Sequence, residues 1–289
     1  MPKVLLFPNM DKIGVPETLD KAVQFLRSQN REIMLPPSLA ALYSAHSFDQ
    51  NWTEHANDIE FALALGGDGT LLRLVKDLAP YNIPLCGINL GKLGFLAELD
   101  ADGFIDKLSL ILSKKYTLEK RSMLKAVLIQ NDKNIATEHA LNDIVITGIN
   151  ATQMIHLYAN FSSGGQIKYP VDGLIFATPT GSTAYSLSAG GSIVDPTLDA
   201  FLLTPICAHA LYTRPLIVKL SEVVTVRQAF EDKDVSLVSD GQVFARMKKG
   251  DELRISRSEY TASFIRLAVP DFYVTWQEKL RRGEESAKF

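Results

Sequence analysis

Apolar residues in the first hundred positions recur in two rhythms. Val4 to Phe7 and Ile59 to Leu65 are short, nearly unbroken apolar runs, the pattern of strands buried on both faces. Leu19, Ala22, Val23, Phe25 and Leu26 fall at helical spacing within Pro16 to Arg27, as do Leu71, Leu72, Leu74, Val75 and Leu78 further on. Glu32 to Leu35 and Pro84 to Ile88 read as further strands. Leu39, Leu42 and Tyr43, after the Pro36-Pro37 break, suggest a helix, and Ala101 to Leu112 closes the series as another. Strands alternating with helices predict βαβ units and a parallel sheet.

The pattern changes near Tyr116. Met123 to Gln130, Asp143 to Thr147, Met154 to Phe161, Gly173 to Ala177, Leu216 to Val226 and Val235 to Ser239 read as strands, as do the alternating Leu253 to Arg257 and Phe264 to Val269. Asn131 to Asn134, Ser163-Gly164-Gly165 and Asp240-Gly241 supply turns. The expected organisation is an α/β domain over 1–115 and a mostly β domain over 116–269. A tail helix is expected over Tyr273 to Gly283, with Trp276 and Leu280 on its buried face. The tail, 270–289, is placed as a segment able to return to the first domain.

Composition narrows the class. With 289 residues, 46% of them hydrophobic, the chain can build one large domain or two ordinary ones. A formal net charge of −3 gives no pull towards nucleic acid. The two cysteines, Cys86 and Cys207, sit in apolar sequence and read as buried thiols. No apolar run approaches the ~20 residues of a membrane span, and the N-terminus lacks a cleavable signal pattern. The expectation is a soluble cytoplasmic protein with no membrane partner.

Candidate chemistry gathers in four places. Leu65-Gly66-Gly67-Asp68-Gly69-Thr70 links a strand to a helix. Its glycines allow close backbone approach to a phosphate, and the helix N-terminus favours an anion. Asp68 either caps that helix or is present for chemistry. Asn142-Asp143, at the head of a strand, reads as a turn pair or as an amide and carboxylate able to fix a ribose. Asp172-Gly173-Leu174-Ile175 leads into Thr178-Pro179-Thr180-Gly181-Ser182-Thr183-Ala184-Tyr185-Ser186-Leu187-Ser188, more hydroxyls than a helix cap needs. This block reads as a cradle for a polyhydroxylated or phosphorylated ligand, with Tyr185 able to stack on a base. Asp240-Gly241 is a hairpin signal, and Gln242 beside it can reach a ligand. The five histidines show no ligand spacing. P-loop, protein-kinase, G-x-S-x-G and G-x-G-x-x-G signatures are absent, which disfavours a conventional dehydrogenase.

Gly66-Gly67-Asp68-Gly69-Thr70 resembles the GGDGT signature shared by NAD kinases, diacylglycerol-type lipid kinases and, distantly, phosphofructokinases. Asn89-Leu90-Gly91-Lys92-Leu93-Gly94-Phe95-Leu96, Asn142-Asp143 and Asp172 to Gly191 resemble, in order, the further motifs of the NAD kinase family. The resemblance implies a Rossmann-like α/β domain and an all-β, sandwich-type domain meeting at a cleft. It implies phosphoryl transfer from ATP, or polyphosphate, to the 2′-hydroxyl of the adenosine ribose of NAD, with a divalent cation such as Mg²⁺. Asp68 is carried over as general base, and Gly66, Gly67, Gly69 and Thr70 as the donor-phosphate turn. Asp68, Gly69, Arg73, Phe95, Asn142, Asp143, Asp172, Thr183, Ala184, Tyr185, Ser186, Leu187, Ser188 and Gln242 are carried over as substrate contacts. No direct protein ligand to a metal is expected. A homo-oligomer, dimer or tetramer, built through the β domain is implied. Tyr169-Pro170-Val171 departs from the family's usual residues before the Asp, which leaves the preference between NAD and NADH open. A lipid kinase and a non-catalytic dinucleotide sensor are the competing readings.

Overall fold

A computed structural model describes residues 1–49, 51–90, 94–149, 154–229, 234–268 and 272–278. The chain forms two compact units, Met1–Lys120 with Ala262–Phe289, and Arg121–Thr261.

In the first unit, strands β1 (Lys3–Pro8), β2 (Glu32–Leu35), β3 (His46–Ser47), β4 (Ile59–Gly66) and β5 (Leu85–Asn89) alternate with helices α1 (Val15–Ser28), α2 (Pro37–Ala40) and α3 (Asp68–Leu78). A short β6 (Leu99–Asp100) and α4 (Phe104–Leu112) follow. The sheet order is β3-β2-β1-β4-β5, all parallel. Alternate residues of β1 and β4, Val4 and Leu6 with Leu63 and Leu65, pack with Leu19 and Val23 of α1 and Leu108 of α4. The intervening Leu5, Ala62 and Ala64 are buried too. Both faces are therefore dry, which is why these strands read as unbroken apolar runs. The helix expected after Pro37 is a single turn. Residues 272–278 are helical, with Trp276 half-buried; Leu280 and the rest of the expected tail helix lie outside the described residues.

The second unit is built mainly from strands, with two short helical turns at Thr180–Thr183 and Tyr185–Ser188; the first of its strands begins, and the last ends, in the first unit. The strands are β7 (Thr117–Gln130), β8 (Lys133–Ala140), β9 (Asp143–Gly148), β10 (Ile155–Phe161), β11 (Gln166–Val171), β12 (Gly173–Ala177), β13 (Ala200–Ile206), β14 (Leu216–Lys219), β15 (Val224–Gln228), β16 (Val235–Ser239), β17 (Gln242–Met247) and β18 (Glu252–Arg266). One antiparallel sheet runs β14-β13-β12-β9-β16-β17; the other joins β11, β10, β15 and β18, with β7 and β8. Ile144, Ile146, Leu174, Phe176 and Leu237 of the first share one core with Leu124, Leu157, Val226 and Ile255 of the second, a β-sandwich.

Two strand expectations are corrected. Leu216 to Val226 is not one strand. It breaks at 220–223, where the Leu220 N–H turns to Asp199 O and the Glu222 N–H to Lys219 O. Conversely, Leu253–Arg257 and the first residues of the expected Phe264–Val269 strand belong to one fifteen-residue β18, which passes through the polar stretch Ser258 to Thr261 without a break and ends at Arg266; Val269 lies outside the described residues.

Candidate active site

Adjacent parallel strands present their following loops at one edge, the carboxyl edge where open α/β sheets bind ligands. Three such loops leave β1, β4 and β5. The Gly66 carbonyl accepts from Lys12 Nζ at 3.1 Å, from the loop after β1, and from the Leu90 N–H at 3.0 Å, from the loop after β5. Lys12 thus lies over the glycine turn, an arrangement its solitary place in the sequence does not signal. A Cβ on Gly66 would stand 2.5 Å from Thr70 Oγ1, so the turn itself excludes a side chain there. At Gly69 the reverse holds: beyond its chain neighbours and its own helix backbone, nothing lies within 4 Å of a built Cβ, and the residue is exposed. Thr70, expected with the donor phosphates, is buried, and its N–H is spent on the Gly67 carbonyl at 2.9 Å.

Asp68 opens α3, yet its carboxylate is held from another loop. The Phe95 N–H donates to Oδ2 at 2.6 Å, and the N–H groups of Leu96 and Ala97 donate to Oδ1 at 3.1 and 3.4 Å. Successive backbone N–H groups around one anion form a nest. Behind this loop sits Arg266, 4% exposed. It donates to Leu96 O at 2.9 Å and pairs with Glu98 at 3.2 Å and Glu119 at 2.7 Å. Phe95 therefore contributes its backbone here, while its ring is half-buried; Arg73 is exposed on α3. Gly91, Lys92 and Leu93 lie outside the described residues.

In the β unit, Asp143 pairs with Ala177, so the head of β9 adjoins the end of β12 where the hydroxyl-rich block begins. The Thr178 N–H bonds Asn142 O at 2.9 Å, and Thr178 Oγ1 bonds Leu141 O at 2.5 Å. Gly181 packs directly on this chain: a Cβ there would stand 2.7 Å from Asn142 Cα. Asp240 and Gly241, both at positive φ (46° and 80°), make the two-residue turn between β16 and β17. Asn142, Asp143, Ala184, Tyr185, Asp240 and Gly241 line a cavity of about 400 Å³. Asp143 is 5% exposed; burial, then the neighbouring Asp240, pushes its carboxyl up to about 7. Near neutral pH it can both donate and accept.

The row of hydroxyls is not a single cradle. Ser182 Oγ bonds Pro179 O at 2.6 Å and accepts the Val194 N–H at 3.0 Å; Ser186 Oγ pairs with Thr204 Oγ1 at 2.7 Å; Thr180 accepts from Arg121 at 3.2 Å. Thr178, Thr180, Ser182 and Ser186 are buried and hold the segment's own shape. Ser186, expected to meet substrate, turns its hydroxyl into the protein. Thr183 bonds Thr180 O at 3.2 Å. Tyr185 and Ser188 are exposed, and Ala184 and Leu187 half-buried.

Asp172 is not itself among the residues lining this cavity, and the Asn142-Asp143 pair stands about 15 Å from it along the strands. Asp172 instead adjoins the cavity's far end: it precedes Gly173, which pairs with Thr147, and Thr147 lies on the cavity wall. There Asp172 Oδ1 bonds His209 Nε2 at 3.1 Å, and the His209 N–H bonds Pro170 O at 3.0 Å. Pro170 sits on the edge strand β11, where a missing N–H leaves no ladder bond unmade. His209 had no spacing signal. Gln242 is exposed at the start of β17.

Residues 17–116 match the model of the ATP-NAD kinase N-terminal domain, and 118–267 that of the ATP-NAD kinase C-terminal domain. The chain is 37% identical to the NAD kinase of Natranaerobius thermophilus over 285 residues, covering 99% of this chain and 100% of that one. It is 39% identical to the NAD kinase of Moorella thermoacetica over 283 residues, covering 98% and 90%. Among solved structures, yeast NADH kinase complexed with NADH superposes with a TM-score of 0.87 at 27% identity, covering 97% of this chain and 87% of that one. An NAD kinase from Archaeoglobus fulgidus in complex with ATP gives 0.74 at 25% identity, covering 97% and 99%.

Proposed function

From the premise that this chain belongs to the ATP-NAD kinase family, as an enzyme that phosphorylates NAD, we propose that it moves the terminal phosphoryl group of ATP onto the 2′-hydroxyl of the adenosine ribose, giving NADP. The observation that carries this reading is the state of Asp68. An ionised carboxylate offers about four lone-pair sites, and three backbone N–H groups occupy three of them. The remaining site can accept the ribose proton as the oxygen attacks phosphorus. The carboxylate is fixed before substrate arrives, so little reorganisation accompanies the step.

In this reading Gly67 and Gly69 face the donor, since Gly69 is open, and Lys12 adds a cation to the same turn. Asn142 and Asp143 hold the ribose and amide groups of the dinucleotide, and Tyr185 stacks on a base. A divalent cation such as Mg²⁺ fits as an ion carried by the donor phosphates. Among the described residues no three His, Cys, Asp or Glu side chains cluster to cage one, and Mg²⁺ is commonly held through substrate phosphates. Such an ion would offset charge on the transferring group. A homo-oligomer built through the β unit belongs to the same reading, and light scattering of the purified protein tests it.

The direct test is an assay for 2′-phosphorylated product with ATP and polyphosphate as donors and NAD and NADH as acceptors, in all four pairings. NADP from ATP and NAD is the expected result. Absence of a 2′-phosphorylated product in every pairing would overturn the reading.

A further inference from the structure

We propose that Asp240 is a positioning residue for the acceptor site, setting the backbone of the Asn142-Asp143 pair rather than merely closing a hairpin. Asp240 Oδ2 accepts the Leu141 N–H at 2.9 Å, and Oδ1 accepts the N–H groups of Asn142 and Asp143 at 2.8 and 3.0 Å. The return bond runs from the Asp240 N–H to Asp143 O at 3.0 Å. A two-residue turn needs none of this: Asp-Gly satisfies its geometry through φ alone. The carboxylate instead spans to a chain almost a hundred residues away in sequence. It fixes three consecutive peptide planes and thereby the directions in which the Asn142 and Asp143 side chains leave the backbone.

Two further observations point the same way. Asp240 and Gly241 line the cavity alongside Asn142, Asp143 and Tyr185, so the anchor stands at the ligand's place. From the other side the same pair is clamped by the Thr178 N–H on Asn142 O and by the close packing of Gly181. Asn142 is thus held between two segments, and only the Asp240 side is a side chain whose charge can be changed. Asp240 also faces Asp143 as a like charge and raises its carboxyl. Removing that charge changes how Asp143 titrates, an effect a purely structural hairpin residue does not have.

The inference rests on Asn142 and Asp143 being dinucleotide contacts, so the experiment carries its own control. D240N, D240A and N142A are assayed for KM of NAD, KM of ATP and kcat, together with the pH dependence of KM for NAD. D240N keeps the isosteric oxygen for two bonds but sets an NH₂ against the Leu141 N–H. It is expected to raise KM for NAD by about tenfold, to leave KM for ATP within about twofold, and to move the midpoint of the KM–pH profile to lower pH. D240A is expected to be worse. Should D240A lose its fold, D240N decides the matter. KM and pH midpoint both unchanged in D240N, with N142A impaired, would overturn the role of Asp240 alone. If N142A also binds NAD normally, the reading of the acceptor site fails instead.

Discussion

Asp68 and Gly94 share one space, and only the absence of a side chain on Gly94 permits it. A Cβ there would lie 2.6 Å from Asp68 Cγ and closer still to Oδ1. Gly94 precedes the three residues whose N–H groups hold the carboxylate. Loop and acid therefore form one rigid unit, although they are separated by more than twenty residues.

Gly94→Ala is the sharpest probe of that unit. The added methyl must push the carboxylate or the loop aside, and misplacement of a reacting group by about 1 Å can lose about 10²-fold in rate. Turnover is expected to fall by that order while NAD affinity, measured by calorimetry, is kept.

Asp68→Asn removes the proposed base and turns an NH₂ group towards backbone donors. Turnover should fall by at least ~10²-fold with NAD binding largely retained. Near wild-type turnover in this variant would remove Asp68 from the role of base.

Lys12→Met keeps the length of the side chain and deletes its charge over the Gly66 carbonyl. KM for ATP should rise by about tenfold and lose part of its salt dependence, with KM for NAD unchanged. A rise confined to KM for NAD would place Lys12 on the acceptor side.

Tyr185→Ala deletes an exposed ring on the cavity wall. KM for NAD should rise by about tenfold at unchanged KM for ATP, as loss of a stacking contact implies. A change in ATP affinity alone would move the base-stacking role elsewhere.

Asp143 links function to stability. Its carboxyl rises from 3.8 to about 7 on folding, so between those values the native state holds the proton more tightly than the unfolded chain. The sign follows: stability is full below pH 3.8, falls as pH rises towards 7, and stays lowered above it. Asp143→Asn removes the effect. The variant should match the parent near pH 4 and exceed its Tm at pH 8, while its KM for NAD rises. A parent Tm that climbs from pH 5 to pH 8 relative to the variant would contradict the assignment.

The chain's own order carried a good deal of this. Buried runs such as Ile59 to Leu65 and the helical stripe Leu71 to Leu78 mark β4 and α3 because a strand dry on both faces and an amphipathic helix each leave a local period. Asp240-Gly241 marks its turn because few residue pairs tolerate two positive φ values. Direction of side chains left no such trace. Ser182 and Ser188 read alike in sequence, yet one is sealed against Val194 and the other is exposed.

By itself, then, the sequence determined the two kinds of domain, the glycine turn and the family, since these depend on periods and on contiguous motifs. Tertiary structure alone decided which polar groups are free to act. The two nests draw on residues 27 to 29 and 97 to 99 positions away from their aspartates. Arg266 reaches back to the Asp68 loop across 170 residues. Hydrogen bonds between segments that meet only after folding have no period and no motif. They follow from which strands lie side by side.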